Sequence, residues 1–365
     1  MTLELLQRAR QERIVLSMHT AHSTRHTERM GMVLWSRSVS LYCLLCAVCC
    51  LLAIGCATSK PLMAVTVPAA DLRAQPHTTA QPDAHDAGQE TQLLYGEGVR
   101  VHAIEDGWAQ VEALEQPEFT HARRWQGYPG WLPSAALRPW EGLLAPTVVV
   151  TDVWATTWAD PQLLTPSPWR FALGTRLRAT EMGGTLWRIE LLDGSMVWMK
   201  RTSAEPLATL AAMPQPDRRR LILRNASSLL DTPYYWGGRT PTPNGVAAAS
   251  GKTFGAGVDC SGLVNLAYRA AGIDIPRDAH EQWLRARRVN AVQPADLIFL
   301  SERNNPARVV HVMLYAGDGA VIEGPGTGMT VRRVSVESRL GRSLDWLPAG
   351  TVIDGQTLTY GAYLP

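Results

Sequence analysis

The sequence predicts a multidomain protein: two small all-β barrels in tandem, followed by an α+β domain. At 365 residues the chain is too long for one ordinary domain. Between Leu93 and Met199, short apolar runs alternate with Gly and Asp turns in two successive series. After Pro214 the pattern changes to two helical stretches followed by apolar strands, the order of an α+β domain.

The first series, assigned to residues 91–142, comprises Leu93-Leu94, the turn Tyr95-Gly96-Glu97-Gly98, Val99 to Ile104, Gly107 to Val111, and Tyr128 to Pro133. The second, in 143–212, comprises Val148 to Val150, Gly174 to Leu177, Leu186 to Glu190 and Gly194 to Met199. Both have a Trp-bearing strand after a Gly turn, then a Gly-x-Val/Leu strand. This reads as an imperfect repeat of small barrels, with one larger β-sandwich as the alternative. The 13 Trp against 4 Phe suit small β-domains or carbohydrate-like ligands without deciding between them.

Before these series lie residues 1–56, an N-terminal extension with one apolar run, Leu41 to Cys56. Of six cysteines, Cys43, Cys46, Cys49, Cys50 and Cys56 fall in that run. It is short for a membrane span of about 20 residues and suits a signal-peptide core. Its end, Leu52-Ala53-Ile54-Gly55-Cys56-Ala57-Thr58-Ser59, resembles a bacterial lipoprotein signal, although Ala53 stands where Leu is commonest. The resemblance implies lipidation at Cys56 and a membrane-anchored chain on the periplasmic or extracellular side. A plain secretory signal and an uncleaved anchor are the alternatives, and all of these place the rest of the chain outside the cytoplasm. Residues 57–90, rich in Ala, Pro, Thr, Gln, Asp and His, read as a disordered tether.

Net charge of +2 with 19% charged residues gives no sign of a nucleic-acid partner. The pair Cys43 and Cys46 lacks a second ligand pair, and His77 and His85 are scattered, so the sequence asks for no metal or cofactor.

The α+β domain, residues 213–365, opens with a helical pattern from Asp217 to Leu230. A Gly-rich loop then leads to Gly257-Val258-Asp259-Cys260-Ser261-Gly262-Leu263 and a second helical pattern that Gly272 can stop. Strands follow at Leu297 to Leu300, Val309 to Tyr315, Ala320 to Ile322 and Thr330 to Val334. Cys260 stands at a helix start, where the macrodipole favours thiolate over thiol. A buried structural thiol is the plainer reading of a lone cysteine. A nucleophile needs an imidazole to take its proton and a polar group to orient that imidazole. His311 opens one strand, and Glu323 ends the next after the turn Gly317-Asp318-Gly319, so a hairpin can bring them together. His280 is a competing base, but it reads as the exposed start of a helix.

These pieces resemble the NlpC/P60 cell-wall peptidases, whose core is a reduced papain-like fold. The matching motifs are Pro233-Tyr234-Tyr235-Trp236-Gly237-Gly238, Asp259-Cys260-Ser261-Gly262-Leu263, Pro276-Arg277-Asp278, Ala295-Asp296-Leu297-Ile298-Phe299, and His311-Val312 through Gly319 to Glu323. The resemblance implies Cys260 as nucleophile, His311 as base and Glu323 as third member, at a position more often occupied by His. The two upstream series resemble bacterial SH3-like domains. Together they look like the subgroup that cleaves murein peptides between γ-D-glutamate and a diamino acid. In that subgroup a free N-terminal L-alanine is selected, which implies substrate-binding roles for Glu97, Tyr128, Tyr234, Asp259, Ser261 and Asp278. Glu97 as a turn carboxylate and Ser261 as a helix cap are the simpler readings. Alternatives for the whole chain are an endopeptidase acting on intact peptidoglycan stems and a non-catalytic wall-binding lipoprotein; phospholipid acyl transfer is more distant.

Overall fold

The computed structural model describes residues 60–78, 85–140, 145–241 and 256–365. Cys56 and the signal-like segment lie outside the described residues.

The first barrel contains β1 (Leu62–Val65), β2 (Ala69–Arg73), β3 (Gln89–Leu94), β4 (Gly98–Glu105), β5 (Trp108–Glu118), β6 (Gln126–Pro133) and β7 (Leu137–Pro139). The second contains β8 (Val148–Val150), β9 (Trp154–Trp158), β10 (Pro166–Ala172), β11 (Arg176–Met182), β12 (Leu186–Glu190), β13 (Met196–Lys200) and β14 (Ala204–Pro206). Their hydrogen-bonded orders are β3-β2-β6-β5-β4-β1-β7 and β10-β9-β13-β12-β11-β8-β14, the same path displaced by one copy. Strand for strand, the repeat read in the sequence is a repeat of architecture. Alternation drives each barrel. In β5, Ala109, Val111 and Ala113 are buried and meet Val99, Val101 and Leu132 in the core. Asp106 and Gly107, both at positive φ, form the tight turn that joins β4 to β5.

The topology corrects the expected tether. Residues 60–73 and 85–90 are not a spacer; they supply β1, β2 and the start of β3. β1 pairs with β4 and β7, and β2 pairs with β3. Both are short, their partners lie far away in sequence, and the Pro-, Thr- and Gln-rich stretch after β2 gives the segment as a whole the composition of an unfolded one. The counterpart of β8, where the second series begins, is therefore β1 and not Leu93. Residues 79–84 lie outside the described residues.

The third domain begins with α1 (Leu207–Ala211) and α2 (Gln215–Ser227). α2 starts slightly before the expected Asp217, with Pro216 in its first turn, where a missing N–H costs nothing. β15 (Arg239–Thr240) pairs with β16 (Gly257–Val258), which leads into α3 (Cys260–Arg269). Every residue of α3 is buried. α4 (Ala279–Arg285) follows, then β17 (Arg287–Arg288), β18 (Leu297–Glu302), β19 (Asn305–Gly317), β20 (Ala320–Glu323), β21 (Arg332–Ser335), α5 (Val336–Leu340), β22 (Val352–Ile353) and β23 (Gln356–Ala362). The antiparallel sheet runs β17-β23-β18-β19-β20-β21.

The three domains share one core. Leu94 of the first barrel, with Val149, Ala172 and Leu173 of the second, joins Leu263, Val264, Leu266 and Ala267 of α3 in a single buried cluster. Polar ties reinforce it: Leu192 N–H donates to Tyr95 Oη (2.6 Å), and Trp154 Nε1 donates to Pro241 O (2.7 Å). The barrels are thus fixed against the helix that carries Cys260.

Candidate active site

Asp259 starts α3: its Oδ1 accepts Gly262 N–H at 2.6 Å, a helix N-cap. The helix start also presses against neighbouring backbone. A Cβ on Gly262 would lie 2.1 Å from Gly238 O, so only glycine fits there. Cys260 is a free, buried cysteine at this first turn. His311 in β19 and Glu323 at the end of β20 meet across the hairpin, with Nε2 and Oε2 2.9 Å apart. Nε2 being taken by Glu323, the other ring nitrogen is left for the thiol, whose nearness favours the charged imidazole.

Electrostatics favour an imidazolium here. Burial works against its charge, but the hydrogen bonds to Cys260 and Glu323 prevail and lift the His311 pKa to about 9. Glu323 moves the other way, to about 2. Burial opposes its ionisation, and the contact with His311 and then the charges of Arg332 and Arg339 outweigh that. Tyr234 joins the group because its bridge to Val258 sets it alongside the start of α3. Burial, then the charges of Asp259 and Cys260, push its hydroxyl well above the ordinary tyrosine range, so it remains a donor near the sulfur. His280 is not part of this group: its Nδ1 accepts Val309 N–H (3.2 Å) and its ring stacks on Trp283.

A second polar cluster lies where the first barrel meets this domain. The Tyr128 hydroxyl sits 2.9 Å from Asp278 Oδ2 and 3.2 Å from Glu90 Oε2. One hydroxyl proton cannot serve both carboxylates; Glu90 also faces His121 and Asp278 faces Arg277 Nη1 (3.4 Å), and paired carboxylates of this kind suit a bound ammonium group. Burial raises the Asp278 pKa to about 7, with Glu281 and Asp259 adding to the effect of burial and Arg277 opposing it. Its side chain keeps 38% of its surface, so solvent tempers that rise. His121 lies against Glu90 and Glu118, whose hydrogen bonds lift its pKa to about 10 despite burial.

Two expected ligand carboxylates are otherwise engaged. Glu97 is 2% exposed, with Oε1 and Oε2 held by the Arg239 fork at 3.0 and 3.1 Å and Oε2 also by Gln116 at 2.9 Å. Arg269 lies 3.5 Å away. Burial opposes its ionisation, but the two arginines lower its pKa overall. It joins the first barrel to α3 and β15 and is not open to a ligand, which corrects its expected substrate-binding role. Asp259 is likewise saturated: Oδ1 takes Gly262 N–H, Ser261 Oγ and Arg277 Nη1, and Oδ2 takes Gly237 N–H and Arg277 Nη2. Ser261 Oγ also accepts from Arg277 Nη1 at 2.9 Å, so both residues serve the shape of the loop.

The sequence reading missed Glu90 because it fell inside the supposed tether. Its signal was its place in β3, between the buried Gln89 and Thr91. Arg277 lies in the Pro276-Arg277-Asp278 motif. It is fully buried and ties Thr91 Oγ1 of the first barrel (2.7 Å) to Asp259 and Ser261.

Residues 231–342 match the family model described as NlpC/P60 family. They are an NlpC/P60 domain. Residues 81–116 match the bacterial dipeptidyl-peptidase Sh3 domain, a match that includes β3 and Glu90. The chain is 29% identical over 255 residues to a gamma-D-glutamyl-L-lysine dipeptidyl-peptidase of Bacillus cereus, covering 68% of this chain and 71% of that protein. It is 34% identical over 132 residues to the peptidoglycan endopeptidase RipB of Mycobacterium tuberculosis, covering 34% of this chain and 53% of that one. A crystal structure of an NlpC/P60 family protein from Bacillus cereus shares the fold, with a TM-score of 0.66 at 24% identity, covering 83% of this chain and 100% of the other. The NlpC/P60 domain is that of a cysteine peptidase, and the fold is the expected one: SH3-like barrels followed by a papain-like domain. Among the described residues, no group of three or more His, Cys, Asp or Glu side chains is arranged to hold a metal.

Proposed function

We propose that the protein hydrolyses the amide between γ-D-glutamate and the diamino acid of murein peptides whose N-terminal L-alanine is free. The observation that carries this reading is the Tyr128 hydroxyl held between Glu90 and Asp278, a pair of carboxylates where the first barrel meets the NlpC/P60 domain. Glu90, in place of Glu97, supplies the carboxylate from the barrel. The ammonium of L-alanine lies against Glu90 and Asp278, and a longer N-terminal extension meets the barrel wall.

The chemistry follows from the catalytic group. The Cys260 thiolate attacks the γ-carbonyl of D-glutamate, forming a C–S bond as the carbonyl π electrons move to oxygen. The Cys260 N–H and the Tyr234 hydroxyl are donors for that oxyanion. Collapse breaks the C–N bond, and His311 gives its proton to the leaving amine of the diamino acid. Water, deprotonated by neutral His311, then attacks the thioester; L-Ala-γ-D-Glu leaves and the thiolate–imidazolium pair is restored. Glu323 orients His311 and stabilises the imidazolium.

A cell-envelope location fits this substrate and the peptidoglycan endopeptidase named among the relatives. Anchoring through a lipidated Cys56 is part of the proposal. The test incubates the soluble chain, starting after Cys56, with L-Ala-γ-D-Glu-diamino acid or with intact peptidoglycan, using Cys260→Ala as control and mass spectrometry as readout. The expected result is release of L-Ala-γ-D-Glu from the free peptide alone. Cysteine-dependent cleavage of the intact wall would replace this reading with one of wall remodelling. No cysteine-dependent product from either would favour a wall-binding role.

A further inference from the structure

Glu323 is fully buried, yet it does not face His311 alone. Its Oε1 accepts Arg332 Nε (3.1 Å), Arg332 Nη2 (2.8 Å) and Arg339 Nε (3.0 Å). Its Oε2 takes His311 Nε2 (2.9 Å) and the same Arg339 Nε (2.9 Å). Arg332 comes from β21, paired directly with Glu323 in the sheet, and Arg339 from α5. Arg332 holds Oε1 alone, and Arg339 Nε bridges both oxygens, so Oε2 is shared between Arg339 and the imidazole.

We propose that Arg332 and Arg339 are positioning residues: they fix the Glu323 carboxylate in one orientation and offset its charge, so that a buried glutamate can orient His311 without over-stabilising the imidazolium. The inference rests on the cysteine-peptidase reading but not on the identity of the peptide. Its physical basis is a conflict within the reaction. His311 must hold a proton while the thiolate attacks and surrender it when the amine leaves. A bare carboxylate in a dry site strengthens the first function at the expense of the second. The two guanidiniums share the carboxylate's charge with the imidazolium and weaken its pull, while the Arg332 fork on Oε1 prevents the carboxylate from turning. The ionisable groups facing this unit are Cys260 and Tyr234 near the start of α3, His311 on β19, Arg332 on β21 and Arg339 on α5.

The test is a double-mutant cycle between Arg339→Gln and Glu323→Gln, read as kcat/KM against pH. Arg332 still holds Oε1 in Arg339→Gln, so the carboxylate stays in place while a cation is lost. The alkaline limb should move upward by about half to one pH unit, and kcat should fall about 10-fold. In Glu323→Gln, where no carboxylate remains to be held, Arg339→Gln should change kcat by less than about 2-fold. Arg339→Lys, which keeps the charge, should leave the limb near its wild-type position. Alkylation of Cys260 by iodoacetate, an anionic reagent favoured by a neighbouring imidazolium, reads the same limb without substrate. Should Arg339→Gln fail to fold, Arg332→Gln, whose side chain is 39% exposed, reads the same limb. An unmoved or lowered limb, or an equal loss in both backgrounds, overturns the proposal. Failure of the cysteine-peptidase reading appears separately, as wild-type protein with no reactive Cys260.

Discussion

The hydroxyl of Tyr128, on β6 of the first barrel, lies 2.9 Å from Asp278 Oδ2, at the start of α4 in the NlpC/P60 domain. The pair spans the junction between the barrel and the catalytic domain. Tyr128→Phe keeps the ring and removes that bridge. It should raise KM for the free-amine peptide about 10-fold while changing kcat less than about 3-fold, because the lost contact is far from the bond being broken. Steady-state kinetics on the tripeptide checks this.

Glu90 and Glu97 carry opposite expectations. Glu90→Gln should weaken binding of the free-amine peptide by about 10- to 100-fold and leave thermal stability nearly unchanged. Glu97→Gln should do the reverse, since it leaves Arg239 buried without its counter-charge, while Arg269 keeps Glu115 and Asp274. Thermal melts of both variants beside their KM values separate the two roles.

The pH profile should have two distinct limbs. The His311 pKa near 9 keeps the imidazolium up to that pH, so kcat/KM should fall as pH rises through about 9. The same pairing contributes stability fully below about 6.5 and loses it as pH rises through 9. Glu323 has the opposite sign: its lowered value stabilises the fold above about 4.5, and that contribution is lost as pH falls toward 2. Asp278, raised toward 7, adds a substrate-specific effect, with KM for the free-amine peptide climbing as pH falls below that value. Kinetics and urea melts across pH distinguish these terms.

Arg277 joins the first barrel to the active-site loop through Thr91, Asp259 and Ser261. Arg277→Ala strands a buried carboxylate and should cost about 3–5 kcal/mol in urea unfolding. Activity should fall as well, because the cap that sets the start of α3 is lost with it.

Cys260, His311 and Glu323 were legible in the sequence because each lies inside a local motif and two of them share a hairpin. The repeat of the barrels was legible from Gly turns and Trp-bearing strands, although its first copy was truncated. β1 and β2 are only four and five residues long and are fixed by pairing with strands distant in the chain. Glu97 sits in a Gly-flanked turn that reads as exposed; its burial depends on Arg239 and Arg269, contributed by another domain. Arg332 and Arg339 were invisible for the same reason. A surface-like arginine in a strand or short helix acquires meaning only when its carboxylate partner is placed beside it.

The most direct test compares two peptides that differ only at the N-terminus: L-Ala-γ-D-Glu-diamino acid and its Nα-acetyl derivative. Acetylation removes the charge, adds bulk at the barrel wall and leaves the scissile bond untouched. The predicted result is a loss of kcat/KM of about 100-fold or more on acetylation, shrinking to a few-fold in Glu90→Gln. Equal rates on both peptides in the wild-type enzyme would contradict recognition of the free amine by Glu90, Tyr128 and Asp278.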